Sequence, residues 1–245
     1  MTVFATLVER LADLLQPLFQ TSATAAAIIL FTALVRLAVH PLSRAAARGQ
    51  KAKARLAPDI AKVRKKHAKN PERMQQAMLE LYAKEKTSPL AGCLPSLLQV
   101  PAFFVLYHLF SSSSIGGEPN GLLSHTLFAA PLGDRWHDAL ADGGVFGGAG
   151  VVYLFLFVIV AVVAVFNYRR TKRQMAENPL PAEVPPGMGA MTSLLPLLSF
   201  ATLITVAVVP LAAALYIVTS TTWSAIERVL LYRDMPAAGA LATPL

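Results

Sequence analysis

The chain has 245 residues, of which 55% are hydrophobic and only 15% charged, against about 25% charged in ordinary soluble domains. Its mean hydropathy is +0.51, its net charge is +8, and Cys93 is its one cysteine. These values argue against a soluble domain, an internal disulfide and a Cys-rich metal site, and they predict an all-α polytopic membrane protein.

Residues 3–19 carry Glu9, Arg10 and Asp13 among apolar residues at helical spacing (4, 7, 8, 11, 14, 15, 18). This pattern predicts an amphipathic helix over 1–20 lying in the membrane interface. A basic leader and a small-residue cleavage site are lacking, so a removable signal peptide is not expected. The first span is predicted at about 23–42, ended by Pro41, which lacks the N–H that a helix needs. Residues 43–88 are too charged for lipid. Leu56, Ile60 and Val63 form one helical stripe, and Met74, Met78, Leu81 and Tyr82 form another. Asn70-Pro71-Glu72 reads as an N-cap, a first-turn proline and a first-turn acid. The expectation is a helical hairpin with one apolar seam.

The second span, about 90–110, holds Gly92, Pro95, Gln99 and Pro101. Prolines at membrane depth need neighbours that satisfy the freed backbone groups, so a kinked helix packed against protein or water is expected. Residues 111–148 read as a Ser/Gly-rich acidic loop. The third span is predicted at about 149–168, followed by a basic cluster and a Pro-rich linker over 178–187. Residues 191–231 are apolar for about twice the length of one crossing. With Pro210 as the turn, they divide into spans of about 191–208 and 211–231, before a short tail over 234–245.

Charge orients these five spans. Residues 43–90 contain 13 of the 22 Lys and Arg, and the 169–190 loop is also basic. Both are assigned to the cytoplasm with the C-terminus, and the N-terminus and the 111–148 loop to the outside. No aromatic residues interleave with the basic ones, which disfavours DNA or RNA binding as the reason for the charge. Leu90-Ala91-Gly92-Cys93 matches a lipidation motif, but it follows a charged segment rather than a leader, so lipidation is not expected.

Arg36 is the costly residue. A charge inside a span costs about 2.5–3.5 kcal/mol on insertion scales. It either snorkels to headgroups near Pro41 or faces a polar cavity. Thr32, one turn earlier, shares its face. The final span carries Tyr216, Thr219 and Ser220 in a run of hydroxyls, and the second carries Gln99. Each reads as interhelical glue or as the lining of a hydrophilic cavity. No acid is evident within the spans above Glu227 in the last cytoplasmic turn. A cavity of this kind therefore suits an acidic ligand. No nucleotide motif, metal-ligand spacing or nucleophile–base constellation is found; no cofactor, metal or catalytic residue is expected, and the chain does not read as an enzyme.

Several motifs together resemble the YidC/Oxa/Alb family of membrane protein insertases in its five-span bacterial form. They are Val35-Arg36-Leu37 with Pro41-Leu42, Pro89 to Pro95 through Gln99-Val100-Pro101 and Leu106-Tyr107, and Pro210 with Leu215-Tyr216 and Thr219-Ser220, across about residues 20–233. The resemblance implies a hydrophilic groove open to the cytoplasm and to lipid, in which Arg36 attracts polar or acidic substrate segments. It places Thr32 and Tyr216 at substrate contacts. It also implies nascent membrane proteins as substrates, with the Sec translocon, the ribosome and membrane lipids as candidate partners in a bacterial cytoplasmic membrane. The chain departs from the pattern at Leu211-Ala212, Ile217, Thr221 and Glu227, where small residues with glycine, an aromatic, asparagine and glutamine are usual. The rivals are a small transporter or channel with a cationic vestibule, which would be expected to show an inverted repeat, and a Sec-associated factor without insertion activity.

Overall fold

The computed structural model describes residues 2–67, 70–85, 94–177 and 194–233. Residues 86–93, with Gly92, Cys93 and the expected start of the second span, the 178–187 linker, the expected start of the fourth span at 191–193, and the tail after Arg233 lie outside the described residues. The described chain is mostly helical. It begins with α1 (Thr2–Phe19), a 3-10 turn (Gln20–Ser22) and α2 (Ala23–Ala38). The turn reverses the chain through Gln20, whose φ is 49°, and the Phe4 and Phe31 rings come to 6.4 Å. α1 thus folds back along α2. Ala5, Val8 and Ala12 are buried against the core, whereas Val3, Leu7, Leu14 and Leu18 are exposed. The charged Glu9, Arg10 and Asp13 occupy the remaining exposed face. At 100° per residue these sets fall about a third of a turn apart, so α1 has a core face, an apolar outer face and a polar face.

α2 ends at Ala38, and α3 (His40–Arg55) starts after Val39. The span expected to reach Leu42 therefore stops earlier as a helix. Pro41 opens the next helix instead of closing the last one, because a proline in a first turn forfeits no intrahelical bond. Among the described residues of 43–85 there are three helices: α3, α4 (Ala57–Lys66) and α5 (Pro71–Lys84). Pro58 in the first turn of α4 marks the bend. α4 packs on α5 through Leu56, Ile60 and Tyr82, with Met78 and Leu81 against them. The Arg73 N–H donates to Asn70 Oδ1 at 3.0 Å, which caps α5. α3 instead packs against α6 (Leu94–Ser111) and the last helix. α6 stays helical through Pro101.

Residues 112–147 form a folded cap, where a loop was expected. Two short antiparallel hairpins pair Ser114–Ile115 with Glu118–Pro119 and Thr126–Leu127 with Ala130–Pro131. α7 (Trp136–Ala141) follows. Leu122, Leu132 and Ala139 from this segment join the main core, so Ser/Gly content hid real anchoring side chains. Buried Asn120 donates from Nδ2 to the Leu109 and Ser112 carbonyls, both at 2.9 Å. It satisfies carbonyls that the end of α6 leaves open.

α8 (Gly148–Glu177) has 30 residues, about 45 Å at 1.5 Å per residue. A 3-10 segment (Leu195–Phe200) leads into α9 (Ala201–Val208), and α10 (Leu211–Tyr232) ends the described chain. Val209 and Pro210 are extended, with ψ of 157° and 152°, and this breaks α9 from α10. The cap completes the break: Leu211 N–H donates to the Asp134 carbonyl at 2.8 Å, and Ala212 N–H to the Leu132 carbonyl at 2.9 Å. The first N–H groups of α10 are thus satisfied without a side-chain cap. Tyr153 Oη of α8 donates to the same Asp134 carbonyl at 2.6 Å. Tyr153→Phe should cost about 0.5–1.5 kcal/mol, a fall of about 2–4 °C per kcal/mol for a chain of this size. Thermal unfolding in detergent checks it, and an unchanged midpoint would argue that this bond contributes nothing.

α10 lies at the centre, with every residue from Leu211 to Val218 buried. Among the described residues, two stretches are long and apolar enough to cross a membrane: Val3–Ala38, counted through the turn at which the chain folds back, and Gly148–Ala176. Pro196–Val208 is apolar but shorter. α10 has 22 residues, but Thr219 to Ser224, Glu227 and Arg228 lower its apolarity.

Candidate functional site

α2 with α3 and α10 present matching polar positions. Arg36, His40 and Ser43 stand at i, i+4 and i+7, and Ser220, Ser224 and Glu227 repeat that spacing. Equal spacing on two neighbouring helices lets contacts form at successive turns. Arg36 Nε donates to Ser220 Oγ at 3.1 Å and Nη2 donates to the Ser220 carbonyl at 3.0 Å. Nη2 also bonds Ser220 Oγ. Two turns further along α10, Glu227 Oε1 meets His40 Nδ1 at 2.6 Å, and Glu227 Oε2 accepts from Ser43 Oγ at 3.2 Å. Ser220 and Glu227 are buried, at 7% and 8% exposure. Glu227, the acid of the final turn, bonds His40 and Ser43 rather than Arg36.

The other candidate residues separate into two groups. Thr32 is buried at 1% exposure, and its hydroxyl donates to the Ile28 carbonyl at 2.7 Å. Tyr216 is also buried, its ring 5.9 Å from Phe103 and 6.0 Å from Phe110. Both pack between helices. Thr219 is half-buried on α10 beside Ser220. Gln99 lies in α6 with Pro95 and Pro101. Pro210 precedes α10, and Pro41 lies in the first turn of α3. Arg36 and Ser220 are thus joined directly, whereas Thr32 and Tyr216 back the site from the core side.

Sequence reasoning missed His40, Ser43 and the role of Glu227. The shared i, i+4, i+7 polar pattern on the two segments was the available signal. Thr222 and Trp223 belong to the polar run of the final span that reads as interhelical glue or cavity lining. Thr222 Oγ1 and Trp223 Nε1 are buried with no protein hydrogen-bond partner, and an unmade buried bond costs about 1–3 kcal/mol. Among the described residues, no group of three or more His, Cys, Asp or Glu could hold a metal ion. The chemistry on offer is a guanidinium parked on neutral oxygens, next to hydroxyls and an unpaired indole N–H. A guanidinium with donors of this kind suits polar or anionic partners.

A family model described as 60Kd inner membrane protein matches residues 15–238. The protein named "Membrane protein insertase YidC" in Clostridium perfringens (strain 13 / Type A) is 44% identical over 84 residues, 34% of this chain and 35% of that one. The protein of the same name in Polynucleobacter asymbioticus is 41% identical over 101 residues, 41% of this chain and 18% of that one. That of Nitratidesulfovibrio vulgaris (strain DP4) is 46% identical over 81 residues, 33% and 15% of the two chains. The aligned stretches thus span about a third of the first relative's length and less than a fifth of the other two.

Proposed function

The chain belongs to the YidC/Oxa family of 60Kd inner membrane proteins, and from that premise we propose that it inserts newly made proteins into a bacterial cytoplasmic membrane and assists their folding. The observation that carries this reading is Arg36, a charge within an apolar helix, bonded to Ser220 of α10. Both of its acceptors are neutral. A substrate carboxylate offers a stronger, charge-assisted and bidentate partner, so exchange from Ser220 to substrate is favourable. Ser220, Thr219 and Gln99 are assigned to the groove that receives the polar segment. Trp223 joins them, because a substrate backbone carbonyl would satisfy its buried N–H. Thr32 and Tyr216 are assigned to the wall behind Arg36.

The proposed architecture has five crossings: α2, α6, α8, the 195–208 segment and α10. The N-terminus and the 112–147 cap lie outside, and α3 to α5 and the C-terminus lie in the cytoplasm, following the loop charges. α1 packs back along α2 from the outer end, and its three faces suit core, lipid and water. The cap closes the outer end, and substrate enters from the cytoplasm. A hydrated groove shortens the apolar barrier that a polar segment must cross. Burial of a substrate's roughly 20 apolar residues in lipid supplies the driving force. The Sec translocon and the ribosome are proposed partners of the α4–α5 hairpin or the bundle.

Purified protein in liposomes, given a single-span substrate, tests the proposal. Protease protection of the translocated tail that rises with protein content is the expected result. No rise over empty liposomes would refute insertion by this protein alone.

A further inference from the structure

The geometry points to a binding site for an anionic phospholipid headgroup at the junction of α3 and α10. A cavity of about 470 Å³ opens there, within the roughly 300–1,000 Å³ range of small-ligand sites. One wall is α3, from which Arg44, Arg48 and Lys51 converge at i, i+4 and i+7 around buried Ala47. The other is the end of α10, where Leu230 and Leu231 face them. Leu230 is 59% exposed. Among the described residues no carboxylate lines the cavity, and none of the three cations makes an ion pair. The nearby acid, Glu227, is already held by His40 and Ser43.

A solvated basic face would leave such cations spread along a helix with water on every side. Here they share a concave site with leucines of another helix, at the level where α10 runs out. That pairing of charge with an apolar wall matches one molecule, a phosphate ester joined to acyl chains. Basic pockets between helices at the cytoplasmic surface have this chemistry. The phosphate would take Arg44, Arg48 and Lys51, with the Arg forks giving paired N–H donors, and the chain tops would cover Leu230 and Leu231. The inference rests on the proposed cytoplasmic placement of these helix ends and on no part of the insertion mechanism.

Native mass spectrometry of the full chain in detergent, titrated with dioleoyl phosphatidylglycerol, tests it. The wild type should retain phosphatidylglycerol in preference to dioleoyl phosphatidylcholine. The Arg44→Gln/Arg48→Gln/Lys51→Gln variant should bind phosphatidylglycerol more weakly, by about fivefold per charge and on the order of 100-fold in all. The control Arg64→Gln/Lys65→Gln/Lys66→Gln removes the same charge from α4 and should bind as wild type. Equal loss in both variants would reduce the site to general surface charge, and unchanged binding in the first would overturn it. Inorganic phosphate that competes as well as the lipid, or an acidic peptide that binds the site while the lipid does not, would overturn the phospholipid assignment. Because the readout is lipid retention, failure of insertion in liposomes leaves this result separately readable.

Discussion

Replacing Arg36 with alanine should lower insertion of substrates with acidic translocated segments by about tenfold or more, and should spare substrates whose segments lack carboxylates. Tenfold corresponds to about 1.4 kcal/mol, near the low end of the roughly 1.5–3 kcal/mol for a hydrogen bond to a charged group. Arg36→Lys keeps the charge but not the fork that reaches both the hydroxyl and the carbonyl of Ser220, so it should fall between wild type and alanine. Ser220→Ala separates substrate attraction from helix pairing. It removes the hydroxyl acceptor and leaves the carbonyl, so Arg36 is held less firmly while its charge is unchanged. Insertion of acidic substrates by Ser220→Ala should fall less than by Arg36→Ala, because the groove loses one hydroxyl but keeps its charge. Protease protection in liposomes, with at least two acidic-tailed substrates, measures all three variants. Full activity of Arg36→Ala on both substrates, at equal reconstitution, would remove Arg36 from the mechanism. A loss in Ser220→Ala as large as in Arg36→Ala would instead assign the pair to helix packing.

Arg36 was legible because a charge in an apolar run is costly wherever it falls, and the cost alone demanded an explanation. The break at Pro210 was legible for a similar local reason, since proline cannot continue the helix and the apolar run was too long for one crossing. What satisfies that break was not legible. The Leu132 and Asp134 carbonyls that meet α10 come from a segment whose composition reads as loop. Orientation was harder still. Thr32 shares a helix face with Arg36 by spacing, yet its hydroxyl turns back to Ile28. Tyr216 sits one turn from Ser220 and packs, tilted, against Phe103 and Phe110. Glu227 looked like an ordinary residue of a final turn. Its partners stand 184 and 187 positions away, and no local pattern in one sequence encodes that distance.

Glu227 therefore carries the second large effect. Its side chain is 11% exposed, and that of His40 is 32% exposed. Together with Ser43 they tie the start of α3 to α10, one face-repeat beyond the Arg36 contact. Removing one partner of a buried polar pair costs more than removing both, because the remaining group stays desolvated and unmatched. His40→Ala should thus destabilise the protein by about 2–3 kcal/mol, less than the roughly 3–5 kcal/mol of a fully buried pair because His40 is partly exposed. Glu227→Gln, which is nearly isosteric and still accepts from Ser43, should cost about 1 kcal/mol. The His40→Ala/Glu227→Ala double variant should be less destabilised than the two single alanine variants added together, with a coupling of about 0.5–3 kcal/mol. Thermal unfolding in detergent resolves these differences at about 2–4 °C per kcal/mol. Strict additivity would mean that the 2.6 Å contact contributes nothing to the fold. If the coupling is found and insertion of acidic substrates by Glu227→Gln is also unchanged, the clasp and the Arg36 site act independently: one fixes α3 against α10, and the other meets the substrate.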